Sequence, residues 1–439
     1  MAATHHVIVG NSIAGMEAAI ALRARDADAR ITVVSAEHPH LFARTALMYV
    51  FCGQLSLRDT EPYDQGLYAR LRFTRVHDRV TAVDPAARTL TLASGPPLRY
   101  DTLLLAVGSV GRPLPSAPDE GPGVHRFVTL PDLEKLDRET KPGQSVAVIG
   151  GGLIGVEVAE ILHLRGLHVH FLVREPWYFP VALDEAEAAV VATHIRAHGV
   201  DVRLGETVSA MVRGGVAGGP PPAPGARFTL TVGGAPLEVD HVVAAIGVVP
   251  NTAFLRDAVP LADSGAIEVD DALRTRVPGV WAAGDCANVT WVDGSRRPEQ
   301  LWYTARDQGR AAARSMLGDD VTYRRGTWYN SAKFFDIEYT TAGFIPYPAN
   351  PAPGWVAPGF RTWFQHVPGT AVTQRIVCKG DRVVGFNALG SRWDHTVFLR
   401  WIHERRSLAF VLDHMREASF DEEFMPPFRV LPTATVTEG

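Results

Sequence analysis

From Val7 to about Val202, short apolar runs alternate with helical patterns, which predicts parallel-sheet units covered by helices. Two of these runs share a design. Val146 to Glu160, VAVIGGGLIGVEVAE, is an apolar strand passing through Gly150, Gly152 and Gly155 into a helix, and VIVGNSIAGMEAA does the same from Val7. Further on, the glycine and proline run Gly214 to Gly225 reads as a loop, beside RFTLTV and LEVDHVVAAIG, which alternate like paired strands. After about Arg325 the pattern changes. Aromatic-rich strands around Phe334 to Phe344, a Pro- and Gly-rich loop from Pro346 to Pro358, more strands to Phe386 and helices from about Asp394 to Met415 predict a third, α+β domain.

The glycines give the first two units a chemistry. The first glycine permits a tight turn out of the strand and the second lets the backbone approach a pyrophosphate. The third lets helix and strand pack closely, so that the helix N-terminus faces negative charge. Gly150, Gly152, Ile154 and Gly155 keep this pattern, while Gly10, Ala14 and Gly15 keep it with Ser12, small enough for close approach, at the middle position. Glu37 ends the next strand, ITVVSAE, where a carboxylate accepts hydrogen bonds from ribose hydroxyls. The expected fold is therefore α/β, with two Rossmann-like three-layer dinucleotide-binding domains and a C-terminal α+β domain.

Composition narrows the function classes. The 439 residues carry a net charge of -5 with both signs spread evenly, which argues against a nucleic-acid partner. Cys52, Cys286 and Cys378 lie far apart with no CxxC, against a disulfide framework, a zinc site or a redox dithiol pair, and in keeping with a reducing cytoplasm. The first 22 residues lack a basic segment, and Gly10, Asn11 and Ser12 interrupt their apolar run, so they read as strand and helix rather than signal peptide. No stretch reaches the roughly 18 apolar residues of a membrane helix. Among sixteen histidines, His5 with His6, His168 with His170 and His194 with His198 are close in sequence. None has a carboxylate or cysteine pattern beside it, so they read as core or solvated residues and no metal is expected.

Four further segments carry a family resemblance: YDTLLLAVG, with Ala106 and Gly108; DHVVAAIGVVPN, with Gly247; GVWAAGD, with Gly284 and Asp285; and a helix beginning ARDQGRAAA at Ala305. With the two glycine turns, their order over about residues 5 to 345 resembles the two-dinucleotide-fold flavoprotein reductases. These are the ferredoxin, rubredoxin and nitrite reductase-like members of the FAD-dependent pyridine nucleotide-disulfide oxidoreductases, with the NADH oxidases and coenzyme A disulfide reductases. The resemblance implies FAD in a discontinuous domain, 1–112 and 241–325, and NADH or NADPH in an inserted domain, 113–240. Residues 326–439 would form an interface or dimerisation domain. It implies that Glu37 holds the adenosine ribose, that Arg44 lines the flavin side, that Asp285 binds the ribityl-phosphate region beside a following helix, and that Glu157 lies near the nicotinamide. Cys286 is placed at the start of that helix, where a thiol pKa can be lowered, but it reads as a packing residue.

Departures from the family pattern bear on mechanism. Related reductases often place a lysine near flavin N5, and Tyr49 in RTALMY occupies that position; where ferredoxin reductases cover the flavin with tryptophan, this chain has Ser331. In HVHFLVRE, Val173 stands where an NADH-selective site would show an acid. Arg174 suits a 2'-phosphate but Glu175 repels one, so both coenzymes stay open. The tail WDHTVFLRWIHERRSLAFVLDHM reads as an amphipathic helical partner or dimer face, and Trp302, Trp328 and Trp393 as core or acceptor-lining residues.

The reading that results is an FAD-dependent NAD(P)H oxidoreductase passing electrons to a separate acceptor, a ferredoxin- or rubredoxin-type protein or a small oxidant. It is expected in the cytoplasm, as a homodimer or a subunit of a larger complex. Two alternatives stand beside it: an assembly or binding flavoprotein with structural FAD, and a coenzyme A disulfide or peroxide reductase using Cys52 alone.

Overall fold

The first apolar run forms the strand His5–Val9, buried along its whole length. Burial on both faces is what a continuous β-branched run predicts for a parallel strand. It pairs in parallel with Arg30–Ser35 on one side and Thr102–Leu105 on the other, and Phe73–His77 and Val280–Ala282 complete a five-stranded sheet. In a second parallel sheet, Ser145–Ile149 lies between His168–Val173 and His241–Ala244, with Asp201–Leu204 and Val124–His125 at the edges. Each glycine turn therefore leaves the middle strand of its sheet. This computed structural model describes residues 3–115, 121–214, 227–420, 423 and 427–439.

Contacts divide the chain into two compact units. The first comprises Met1–Arg112, Val128–Lys135 and Val248–Gly326, and holds the first sheet. Its helices Ile13–Arg25 and Trp302–Met316 pack closely because Gly309 has no side chain: a Cβ there would lie 2.2 Å from the carbonyl oxygen of Ala14. The second unit comprises Pro113–Phe127, Leu136–Gly247 and Thr327–Gly439, and holds the second parallel sheet together with the C-terminal part of the chain.

That C-terminal part is a six-stranded antiparallel sheet in the order Tyr329–Phe334, Ile337–Gly343, Arg382–Leu389, Thr373–Lys379, Arg361–His366 and Thr435–Glu438. The amphipathic tail folds as two helices, His395–His403 and Leu408–His414, with Arg405 at φ +56° between them. Their apolar side chains turn onto the domain's own sheet. Phe398, Trp401 and Val411 are buried, and Phe398 stacks on Phe386 with ring centroids 4.2 Å apart. Trp393 is likewise core, against Phe398 and Phe428.

Other expectations shift in detail. LEVDHVVAAIG divides between an antiparallel strand, Ala235–Val239, and the parallel strand His241–Ala244, because a chain leaving one sheet for another must turn at Asp240. RFTLTV pairs as expected, with Val208–Arg213 and with Ala235–Val239. Of the loop beside it, 215–225 lie outside the described residues. Among the described residues, no helix is long and apolar enough to cross a membrane.

A buried ion pair fastens the antiparallel sheet to the helix Glu185–Ala197. Arg375 and Glu187 meet at 2.8 Å with both side chains at most 4% exposed, and Arg375 also donates to the carbonyl of Ala182 at 2.6 Å. Glu187 closes a capping box with Asp184 at that helix's start. Burial pushes the Glu187 carboxyl up to about 7, with Arg375 opposing the shift. Removing one partner of such a pair leaves an uncompensated charge. Arg375→Ala is expected to destabilise the protein by about 3–5 kcal/mol in denaturant unfolding; a loss below about 1 kcal/mol would show that water reaches Glu187.

Candidate functional site

Gly10 leaves its strand at φ +118°, a conformation that side chains disfavour, and a Cβ there would lie 2.0 Å from the carbonyl oxygen of Ala106. A Cβ on Gly15 would lie 2.0 Å from the carbonyl oxygen of Gly10. Both obstacles are backbone, so no side-chain adjustment relieves them. The helix Ile13–Arg25 that follows has no side-chain cap and no acid in its first turn, which leaves its amide end open to an anion.

A cavity of about 860 Å³ opens at this turn, within the roughly 300–1,000 Å³ typical of cofactor sites. Of the residues singled out in the sequence, Gly10, Ser12, Ala14, Glu37, Arg44, Ala106, Gly108, Gly284 and Asp285 line it. Trp302 lines it too. Gly15 is not among its lining residues. Tyr49 and Cys52 are not among its lining residues: both belong to the short turn around the helix Leu47–Phe51, with Cys52 at its C-cap.

Arg44 organises the acids here. Its guanidinium forms a two-pronged pair with Glu37, one bond being 2.9 Å, and donates to the carbonyl of Val128 at 3.0 Å. Glu37 also accepts the amide of Leu130 at 2.7 Å. A carboxylate has about four lone-pair sites, so acceptor capacity remains for ribose hydroxyls. Asp285 accepts from the Ser109 hydroxyl at 2.7 Å; burial pushes its carboxyl up while Ser109 and Arg44 pull it down.

The sequence reading missed Ser109 and Leu130. Ser109 directly follows the small-residue turn at Gly108, which was its only signal. Leu130 lies in the short return of the chain to the first unit and carried none.

The helix expected directly after Asp285 is a strand, Ala287–Thr290, paired with Ile267–Glu268; the helix itself starts at Trp302. Asp285 consequently has no helix amides beside it from its own connection. Cys286 is correspondingly not activated: it is fully buried, and desolvation pushes its thiol up to about 11.

The second glycine turn repeats the first. Gly150 has φ +123°, and a Cβ would lie 2.3 Å from the carbonyl oxygen of Ala245; a Cβ on Gly155 would lie 2.0 Å from that of Gly150. Around Gly152 there is open space, and the helix Leu153–Leu164 again lacks a side-chain cap. Gly247, at φ +93°, corresponds to Gly108 at φ +67°. Arg174 is exposed and paired with Glu175 at 2.7 Å.

Glu157, on the helix Leu153–Leu164, has its carboxyl pushed up to about 7, first by burial and then by Glu160, against the opposing charge of Lys333. Lys333 is bonded to Glu160. Tyr178 faces Glu157, and its buried hydroxyl has no hydrogen-bond partner among the described residues. A carboxyl poised near neutrality exchanges a proton readily and, while neutral, donates a hydrogen bond. Tyr178 and Lys333 were not singled out in the sequence; the aromatic triplet from Trp177 to Phe179, just past the strand end, was the available signal for the first.

His5 and His6 bond Thr32 and Thr102, inside the first sheet. His170 meets the carboxylate of Asp201 at 2.8 Å, and Asp336 from a remote hairpin supplies His194 and His198 with the carboxylate that their sequence neighbourhood lacks.

Residues 4–309 match the family described as pyridine nucleotide-disulphide oxidoreductase. The chain is 30% identical to the 5,5'-dehydrodivanillate O-demethylase ferredoxin reductase subunit of a Sphingobium species, over 77% of this chain and 81% of that one. It is 31% identical to rhodocoxin reductase of Rhodococcus erythropolis, over 75% of each. Among solved structures, the covalent putidaredoxin reductase–putidaredoxin complex superposes with a TM-score of 0.76 at 23% identity, covering 92% of this chain and 94% of that one, which is a likeness of fold.

Ionising Glu157 is resisted in the folded chain up to about pH 7, against 4.5 for an ordinary glutamate. Its folded pKa is raised, so its contribution to stability is full below pH 4.5 and lost as pH rises through 7. Glu157→Gln should therefore be more stable than the parent at pH 8 by roughly 1–3 kcal/mol and close to it at pH 4.5. Thermal unfolding at the two pH values measures this, and equal losses in both proteins would refute the shift.

Proposed function

The chain belongs to the pyridine nucleotide-disulphide oxidoreductase family and is an oxidoreductase that uses FAD and NAD(H), and on that premise we propose that its acceptor is a separate ferredoxin-type iron–sulfur protein. The observation that carries this is the placement of the thiols. No cysteine lines the cavity, Cys286 and Cys378 are buried, and Cys52 caps a short helix, so no dithiol is available to take electrons within the chain. The sequence relative named as a ferredoxin reductase subunit supports the same acceptor class.

The first unit's cavity fits FAD. A glycine turn that a Cβ would obstruct, an uncapped helix end and two acids are the donor and acceptor set that a pyrophosphate with ribose and ribityl hydroxyls requires. In this reading Gly10, Ser12, Ala14 and Gly15 receive the pyrophosphate, Glu37 the adenosine ribose, and Asp285 with Gly284 the ribityl side. Arg44, Ala106 and Gly108 complete the wall. Gly150, Gly152, Ile154 and Gly155, with Gly247 behind them, receive the nicotinamide coenzyme, Arg174 meets its adenosine end, and Glu157 holds or releases a proton near the nicotinamide. Bound FAD supplies the electron carrier between coenzyme and acceptor. The corresponding division is an FAD domain of 1–112 and 241–325, a coenzyme domain of 113–240 and a C-terminal domain of 326–439, working in the cytoplasm as a homodimer or within a larger complex.

The test of the acceptor is anaerobic. NADH or NADPH should bleach the visible flavin absorption of the purified protein, and an added [2Fe–2S] ferredoxin should then be reduced faster than oxygen is consumed in a parallel aerobic assay. Bleaching followed by oxygen consumption alone would make the protein an oxidase. Glu37→Ala removes a charged acceptor, and hydrogen bonds to charged groups contribute about 1.5–3 kcal/mol. FAD affinity should fall at least about tenfold, read as the flavin-to-protein absorbance ratio after gel filtration; an unchanged ratio would remove Glu37 from the site.

A further inference from the structure

His194 and His198 lie four residues apart at the C-terminal end of the helix Glu185–Ala197, so both imidazoles project from one face. The tip of the hairpin Tyr329–Phe334 and Ile337–Gly343 brings Asp336 against them. Its Oδ1 bonds His194 Nε2 and stands 3.7 Å from His198 Nε2, and the donor atoms of all three residues lie within 4.8 Å of one another.

We propose that His194, His198 and Asp336 form a surface site for one first-row transition-metal dication of the zinc class. Two imidazoles and a carboxylate are a donor set for zinc, cobalt, nickel or copper rather than for magnesium or calcium, which take oxygen ligands. Three protein ligands leave the fourth position of a tetrahedral ion to water.

Independent features of the surroundings support an ion here over a plain histidine–aspartate pair. His198 Nδ1 is 3.0 Å from the backbone carbonyl of His194, and donating there fixes the tautomer that leaves Nε2 free to ligate. The partial negative charge of the helix end favours a cation. Phe335 holds the hairpin tip in place at φ +58°, an uncommon conformation for a bulky residue; it is buried, with its ring 5.1 Å from that of His198. The other histidine cluster, His38, His40 and Glu61, lacks this arrangement, because Arg75 occupies His40 Nε2 at 2.6 Å.

Calorimetric titration of untagged, chelator-treated, FAD-loaded protein with zinc chloride tests the site. One saturable event per chain is expected, unaffected by excess magnesium. His198→Ala and Asp336→Asn, each judged folded by its retained flavin, should weaken binding at least about tenfold, while His40→Ala should leave it unchanged. Absence of saturable binding, loss of binding with magnesium, or isotherms altered only by His40→Ala would overturn the proposal.

Discussion

The architecture depends on one backbone contact made twice: a glycine leaving the middle strand of a parallel sheet presses on the carbonyl group of the neighbouring strand. Gly10 meets Ala106 and Gly150 meets Ala245 at separations no Cβ tolerates. The contact lets the helix start directly above the strand end, and Gly15 and Gly155 keep helix and turn together by the same means. What results is an uncapped helix N-terminus over a small-residue floor, which favours a dianionic group without any charged side chain. The two turns are thus a property of main-chain geometry, made before any side chain around them acts.

Those side chains give carboxyl groups different fates. Glu37 and Asp285 share the field of Arg44, and Asp285 has a hydroxyl donor besides. Glu157 has neither. Burial and a second glutamate on its own helix carry it towards neutrality, and Lys333 restrains the shift only in part. Environment thus sets Glu157 apart, as an acid able to change its proton near pH 7.

Much of this was legible in the sequence because it rests on local signals. The glycine spacing, the apolar strands before it and the acid that ends ITVVSAE are contiguous, and they mark the turn, both middle strands and Glu37. The remaining features join residues that no local pattern links. Ser109 meets Asp285 across 176 positions, and Asp336 reaches His194 across 142. Leu130 offers Glu37 only a backbone amide, which leaves no trace in residue identity. The helix expected after Asp285 failed for another reason. A buried strand ending in small residues and an aspartate fits either a helix or a second strand, and Ala287–Thr290, with Ala287 to Val289 buried, took the second course.

The C-terminal part of the chain gains a meaning that its sequence did not carry. Its tail helices bury their apolar faces on their own sheet, so amphipathicity there reflects an internal core and is no evidence for an outside partner. The same sheet is locked by Arg375 to the helix Glu185–Ala197 and, through the strand Tyr329–Phe334, delivers Lys333 to Glu160. Glu160 is one turn beyond Glu157 on its helix, and the Lys333 charge opposes the rise of the Glu157 carboxyl. The antiparallel sheet therefore supplies the charge that partly opposes the upward shift of the glutamate beside the third glycine.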